Sequence, residues 1–273
     1  MAADSKNYAR SAAELLERIR SRHPLIHHMT NWVVMNDTAN ATLALGGLPV
    51  MSHAREEVAE MVGAAGALVL NPGTLYPELV DAMLVAGRRA NELGTPIVYD
   101  PVGVGATSYR NQTGERFLKE LRLAVIRGNS GEVGALAGAG GVVRGVESVQ
   151  GVSDPAAVAR DLARRTSSVV AITGKRDFLS DGTRVLGVDN GHHMLTTITG
   201  TGCMATTVIA VFCAVESDRL VASAAALASY GLAAENAARR ARGPGSFREA
   251  LLDCLYHLTP KAVEKGARIV ELA

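Results

Sequence analysis

Three features of the sequence predict an α/β fold in which a mostly parallel central sheet is covered by helices on both faces. Short apolar runs at 67–71, 96–100, 123–129 and 169–174 alternate with longer segments of helical periodicity. Strands apolar on both sides of the pleat lie between helix layers, and their alternation with helices marks crossover connections. Hydrophobic residues make up 48% of the chain and aromatic ones 4%, so Ala, Val and Leu must build the core. The predicted strands also end in Asn71, Asp100, Asn129 and Thr173, each closely followed by Gly or Pro. Sheets of this kind bind ligands at the carboxyl ends of their strands.

The elements follow in order. Residues 11–20 have helical periodicity, 27–31 are polar and irregular, and 33–45 are mixed until Gly46-Gly47 stops them. A short strand at 49–51 ends in Ser52-His53. The strand at 67–71 is closed by Pro72-Gly73-Thr74 and leads into a helix over 76–93. The strand at 96–100 turns at Pro101-Val102-Gly103, and the strand at 123–129 precedes a helix that begins near Glu132. A helix over 158–165 and a strand at 169–174 come next, then short strands flanking Asp181-Gly182, a hairpin signal, the second at 186–190. Past Cys203 the chain reads as helix almost throughout, broken at Gly243-Pro244-Gly245-Ser246. No linker, repeat or low-complexity tract divides the chain, so one domain over 1–273 is expected.

Composition excludes several classes. Lys and Arg number 28 against 27 Asp and Glu, and the net charge of +1 gives no footprint for nucleic acid or an anionic membrane. Cys203, Cys213 and Cys254 are widely spaced with no CxxC pair, which fits a reducing cytosol better than a disulfide frame or a zinc site. Residues 1–22 lack the apolar core of a signal peptide, and the apolar run at 205–215 is too short to span a bilayer. A soluble cytoplasmic protein is the expectation.

The most informative stretch is Thr197-Ile198-Thr199-Gly200-Thr201-Gly202-Cys203-Met204, a short β-rich run whose two glycines open an apolar helix. The first N–H groups of a helix lack intrahelical partners and sit at the positive end of its dipole, and glycine lets a ligand come close. Gly202 therefore belongs to an anion hole suited to phosphate. Cys203 lies on the first turn, where a thiol is best placed to ionise. The string also fits the dinucleotide pattern G-x-G-x-x-A, but 221–240 is helical and no strand candidate closes a βαβ unit. A P-loop is excluded because Val169 stands where its first glycine belongs and Arg176 replaces its Ser/Thr.

Asp100, at a strand end beside Gly103 and Gly105, suits a magnesium or phosphate environment, and a plain Asp-Pro turn accounts for it equally. Asn129 and Glu132 form a capping box by spacing, a role that leaves the Glu132 carboxylate available to a site. His27, His28, His192 and His193 have no zinc-helix spacing and read as hydrogen-bonding or exposed histidines. Met204 and Trp32 read as packing residues, with Trp32 near a ligand as the alternative. The run Arg239-Arg240-Ala241-Arg242 reads as a solvated helix end.

Together, seven strings resemble the hydroxyethylthiazole kinase family: His28-Met29-Thr30-Asn31, Pro49-Val50-Met51-Ser52, Asp100-Pro101-Val102-Gly103-Val104-Gly105-Ala106-Thr107, Arg127-Gly128-Asn129-Ser130-Gly131-Glu132, Ile172-Thr173-Gly174, Gly200-Thr201-Gly202-Cys203 and Gly243-Pro244-Gly245-Ser246-Phe247. They occur in the family's order over nearly the whole chain, with no departure at the motif positions. The resemblance implies a ribokinase-like fold and phosphorylation of 4-methyl-5-(2-hydroxyethyl)thiazole with ATP and Mg2+, a reaction of thiamine salvage. It also implies a homotrimer with thiazole sites between subunits. By motif match, Arg127 and Thr173 would contact ATP. Asn31, Met51 and Gly200 would line the thiazole site, and Asp100 and Glu132 would organise magnesium. Cys203 would stand where most ribokinase-like enzymes carry a basic aspartate, which speaks against a pyridoxal or hydroxymethylpyrimidine kinase. An ADP-dependent lyase on the same fold and a non-catalytic thiazole sensor are the rivals of other classes.

Overall fold

The structure is a computed structural model that describes residues 2–139, 142–144, 147–150 and 152–272. The first half of the chain builds alternating strands and helices: α1 (Ala2–Arg22), β1 (Leu25–Met29), α2 (Met35–Leu45), β2 (Leu48–Val50), α3 (Val58–Ala64), β3 (Ala67–Leu70), α4 (Pro77–Leu93), β4 (Ile97–Tyr99), α5 (Ser108–Glu120), β5 (Val125–Asn129) and α6 (Ser130–Ala137). An antiparallel pair, β6 (Val142–Arg144) and β7 (Glu147–Gln150), follows, then α7 (Pro155–Thr166), β8 (Val169–Thr173), β9 (Asp177–Ser180) and β10 (Val185–Val188). The last part carries α8 (Thr201–Cys213), α9 (Arg219–Ala238), α10 (Pro244–Tyr256), α11 (Pro260–Gly266) and β11 (Ile269–Leu272).

Nine strands form one sheet in the order β11-β10-β9-β8-β5-β4-β3-β1-β2. From β2 to β8 all pairings are parallel; β9, β10 and β11 pair antiparallel at one edge. Strand alternation divides the core. Ala67 and Val69 of β3 face the layer of α1, α2 and α8–α11, while Leu68 and Leu70 face α3–α7. Helices α8 and α9 are buried on nearly every side, which explains their Ala-rich, almost uninterrupted apolar sequence. The α/β architecture read from the alternation is the one found.

Four local expectations need correction. Of residues 27–31 only 30 and 31 are irregular: 27–29 end β1, an interior strand between β2 and β3, and His27 and His28 are fully buried. They pass as strand residues because each ring finds a hydrogen-bond partner. His27 Nε2 lies 2.8 Å from the Ser52 carbonyl, and His28 Nε2 3.2 Å from Thr42 Oγ1. The run before Gly200 is a 3₁₀ turn over His193–Thr197 rather than a β segment. The break expected at Gly243-Pro244-Gly245-Ser246 lies slightly earlier, at 239–243, and Pro244 already stands in the first turn of α10. The chain also ends in a strand, β11, whose four residues are too few to show a period. Helix α5, polar enough to escape the sequence reading, starts at Thr107, whose hydroxyl accepts the Arg110 N–H at 3.3 Å.

Among the described residues no helix is long and apolar enough to cross a membrane.

Burial also sets an acid limit on stability. Loss of water around His28 lowers its pKa to about 3, and the same cause lowers that of His27. The unfolded chain takes up a proton near pH 6.5 that native His28 refuses, so stability falls as pH drops from about 6.5 toward 3. Each such histidine adds a slope of at most about 1.4 kcal/mol per pH unit. In urea titrations at pH 7, 6 and 5, His28→Gln is expected to lose less stability on acidification than the wild type. An equal pH slope in both would show that His28 does not set the limit.

Candidate active site at the strand ends

The carboxyl ends of β1, β3, β4, β5 and β8 lie side by side and face the N-terminus of α8. Each contributes one polar residue: Asn31 just past β1, Asn71 after β3, Asp100 after β4, Arg127 within β5 and Thr173 closing β8. Opposite them, Gly200 begins α8 in the left-handed region at φ +87°, and a Cβ there would meet Val34 Cγ1 at 2.8 Å. Both facts demand glycine. The turn is fastened from within: Thr201 Oγ1 donates to the Leu195 carbonyl at 2.6 Å, and the Tyr230 hydroxyl donates to the Thr201 carbonyl at 3.0 Å. At Gly202 the reason is contact. Its missing Cβ leaves the space that Arg127 Nη1 would contest at 2.9 Å, so the guanidinium lies against the helix start.

A chain of hydrogen bonds crosses this ring. Asn31 Nδ2 donates to Asn71 Oδ1 at 2.9 Å, and Asn71 Nδ2 donates to Asp100 Oδ2 at 3.1 Å. Thr206 Oγ1, one turn into α8, donates to the same oxygen at 2.7 Å, and Arg127 Nη1 stands 3.8 Å from it. Arg127 Nη2 also donates to Thr173 Oγ1 at 2.5 Å. Asp100 Oδ1 and Arg127 Nε are buried with no hydrogen-bond partner among the described residues.

Glu132 serves two purposes, as its spacing allowed. Its Oε2 accepts the Asn129 N–H at 3.0 Å while Asn129 Oδ1 accepts the N–H groups of Gly131 and Glu132, a complete capping box. Its Oε1 accepts the Gly103 N–H at 2.8 Å, which ties the loop after β4 to α6. Burial, then the charge of Asp100, raises the Glu132 pKa; its backbone hydrogen bonds and Arg127 work the other way. Burial raises Asp100 too, opposed by Arg127 and the Thr206 hydrogen bond. Two buried carboxyls, one with an oxygen that no described residue hydrogen-bonds, offer the oxygen ligands that suit a hard divalent cation. No cluster of three or more His, Cys, Asp or Glu able to hold a metal occurs among the described residues.

Cys203 departs from expectation. The helix start does not ionise it: burial and then the Asp100 charge push its pKa up to about 12, against hydrogen bonds from Asn71 and Asn31 and the charge of Arg127. Its Sγ lies 3.8 Å from Asn31 Nδ2. The thiol is therefore neutral at physiological pH.

Beside this ring, at the end of β8, opens a cavity of about 610 Å³ lined by Ser130, Ile172, Thr173, Gly174, Lys175 and Phe178, among others. Buried Asp177 shapes its rim by accepting the Gly174 N–H at 2.9 Å, and burial raises the carboxyl's pKa to about 7. Met51 lies just past β2 and is half-buried. Trp32 is not core packing: it is 66% exposed and tilts against Tyr76, ring centroids 5.9 Å apart. Met204 is buried in the core as expected, and His193 is exposed beside His192. Sequence reasoning did not single out Asn71, Thr206 or Asp177 as site residues. Asn71 carried the same strand-end signal as Asp100, Thr206 only the fourth-residue spacing from Gly202, and Asp177 none.

The profile of the hydroxyethylthiazole kinase family matches residues 16–261. The chain belongs to that family. A hydroxyethylthiazole kinase of Desulforudis audaxviator (strain MP104C) is 67% identical over 260 residues, which cover 95% of each chain. The solved structure of a hydroxyethylthiazole kinase protein from Pyrococcus horikoshii OT3 superposes with a TM-score of 0.89 at 43% identity, covering 96% of this chain and 99% of that one. A ribokinase-like superfamily protein from Enterococcus faecalis V583 has a TM-score of 0.62 at 13% identity, covering 91% and 95%, and shares the fold. The resemblance carried by the Asp-Pro-Val-Gly-Val-Gly-Ala-Thr and Gly-Thr-Gly-Cys motifs thus holds, and the fold is ribokinase-like.

In this hydroxyethylthiazole kinase family member, the neutral state of Cys203 has a direct readout. Alkylation by iodoacetamide at pH 8, followed residue by residue by mass spectrometry, should be at least about 100-fold slower at native Cys203 than in the urea-unfolded chain, because a free thiol titrates near ~8.5. Native labelling as fast as unfolded labelling would mean that the thiol is ionised after all.

Proposed function

We propose that this chain transfers the γ-phosphoryl group of ATP to the hydroxyl of 4-methyl-5-(2-hydroxyethyl)thiazole, with Mg2+, in thiamine salvage. The observation that carries the proposal is the meeting of Asp100, Arg127 and Thr173 with the Gly200–Cys203 helix start beside an open cavity, in a chain of this family. Phosphoryl transfer needs positioning and charge neutralisation more than covalent help, and this arrangement offers both. One kinase domain over residues 1–273 is the corresponding unit.

The residues fit both partners of the reaction. Thr173 lines the 610 Å³ cavity, where a nucleotide would lie; Arg127 donates to the Thr173 hydroxyl, and Asp100 Oδ1 is a buried oxygen that a cation would engage. Magnesium held by Asp100 and Glu132 would neutralise phosphate charge when bound. Arg127 would balance the phosphates, and the N–H groups of Gly202 and Cys203 would hold the group in transit at the positive end of α8. Asn31, Met51 and Gly200 would line the alcohol's side, with its hydroxyl near Cys203. With its pKa at about 12, the neutral Cys203 is no strong base, and a loose transition state asks for none.

The proposed assembly is a cytoplasmic homotrimer with the thiazole site between subunits. Its support is the apolar flank near Asn31 and Met51. Trp32, Val33, Leu43 and Leu48 are 66%, 62%, 52% and 47% exposed, a surface that a neighbouring subunit would cover.

The test is incubation with ATP, Mg2+ and the thiazole, with pyridoxal and hydroxymethylpyrimidine in parallel, and mass spectrometry of the products. Thiazole phosphate is the expected product; phosphorylation of a competitor alone would overturn the substrate. Asp100→Ala and Arg127→Ala should lose about 100-fold or more in kcat at saturating Mg2+. Cys203→Ala should lose less than the ~10²–10⁴ that removal of a true general base brings, and Cys203→Asp should stay active. Complete loss in both Cys203 variants, with circular dichroism unchanged, would make the thiol indispensable.

A further inference from the structure

We propose that Asn71 is a positioning residue that ties the alcohol side of the site to the cation side, so that the two are set by one rigid element. The inference rests on the proposed kinase reaction. Asn71 is 1% exposed and sits between the two halves: Asn31, beside Cys203, on one side and Asp100 on the other. Its orientation is forced. The Gly73 N–H, which can only donate, points at Asn71 Oδ1 from 3.1 Å, and the Asp100 carboxyl oxygen lies 3.1 Å from Nδ2. A flipped amide would set donor against donor at Gly73 and acceptor against acceptor at Asp100.

That orientation fixes both neighbours. With its oxygen turned to Asn31, Asn71 requires Asn31 to present Nδ2; Asn31 Oδ1 is then left to accept the Val33 N–H at 3.1 Å. The same Nδ2 of Asn31 faces Cys203 Sγ at 3.8 Å, where the acceptor alcohol is placed. In the other direction, Asn71 Nδ2 and Thr206 Oγ1 both occupy Asp100 Oδ2, so the carboxyl cannot rotate and Oδ1 is the oxygen left for a cation. The backbone adds a constraint: a Cβ at Gly73 would meet Asn31 Nδ2 at 2.6 Å, so the loop after β3 closes tightly over the chain. No other side chain in the ring hydrogen-bonds both Asn31 and Asp100. Thr206 reaches only the carboxyl among them.

The test compares three variants by calorimetry and kinetics. Thiazole affinity is read by titration, cation affinity by titrating Mn2+ into the ADP complex, and KM for the thiazole and the Mg2+ activation midpoint by turnover. Asn71→Ala should weaken thiazole and cation together, each about tenfold, as expected for the loss of a buried hydrogen bond. Thr206→Val should shift the cation values alone, and Asn31→Ala the thiazole values alone. KM for ATP should stay nearest the wild-type value in all three, which a general loosening of the fold would not produce. If Asn71→Ala does not fold, Asn71→Leu, of similar volume, takes its place. A shift in only one ligand for the Asn71 variant, with a wild type active on the thiazole, overturns the inference and spares the function. A wild type that neither binds nor phosphorylates the thiazole overturns both.

Discussion

The structure turns on one buried carboxyl. Asp100 lies almost wholly out of water at the centre of the sheet's carboxyl edge, where an isolated charge would be intolerable without partners. Asn71, Thr206 and Arg127 come from three different elements to supply them. Their convergence dictates much else: α8 must begin where Thr206 reaches β4, and the residue over Arg127 must be glycine. The carboxyl has one oxygen beyond what these partners use, and that surplus separates a structural ion pair from a site.

The parallel sheet makes this convergence possible. Strands β1, β3, β4, β5 and β8 run the same way, so their polar terminal residues share one rim. The rim divides the work laterally. Asn31 and Met51 lie toward the β2 edge, while Thr173 and the cavity lie toward β9. Asp100 and Arg127 stand between them, where in the proposed reaction the transferred group would cross.

Much of this was legible in the residues. The strand-end pattern located Asp100, Asn129 and Thr173, and the two glycines marked the start of α8. What escaped did so for physical reasons. His27 and His28 look polar in any hydropathy pattern, yet a neutral imidazole with one hydrogen-bond partner is a tolerable core residue. β11 is four residues long and depends on its antiparallel partner β10 for its conformation. The state of Cys203 was misread because the helix start is a local feature, whereas burial and the proximity of Asp100 are created only by tertiary packing. Asn71 was visible as a strand end, but its bridging role depends on neighbours 40 residues before and 29 after it in the chain.

The contact between Arg127 and Gly202 carries one more implication. A guanidinium is pressed against the positive pole of a helix, so two like electrostatic features share one small region. The Asp100 carboxylate, 3.8 Å from the guanidinium, offsets part of this repulsion, and a multiply charged anion lying between them would offset more. An anion bound there only by the native chain would, by mass action, add to the fold's own stability. The protein's heat tolerance should then follow the phosphate content of its surroundings, with occupancy at the strand ends felt as cohesion throughout the sheet.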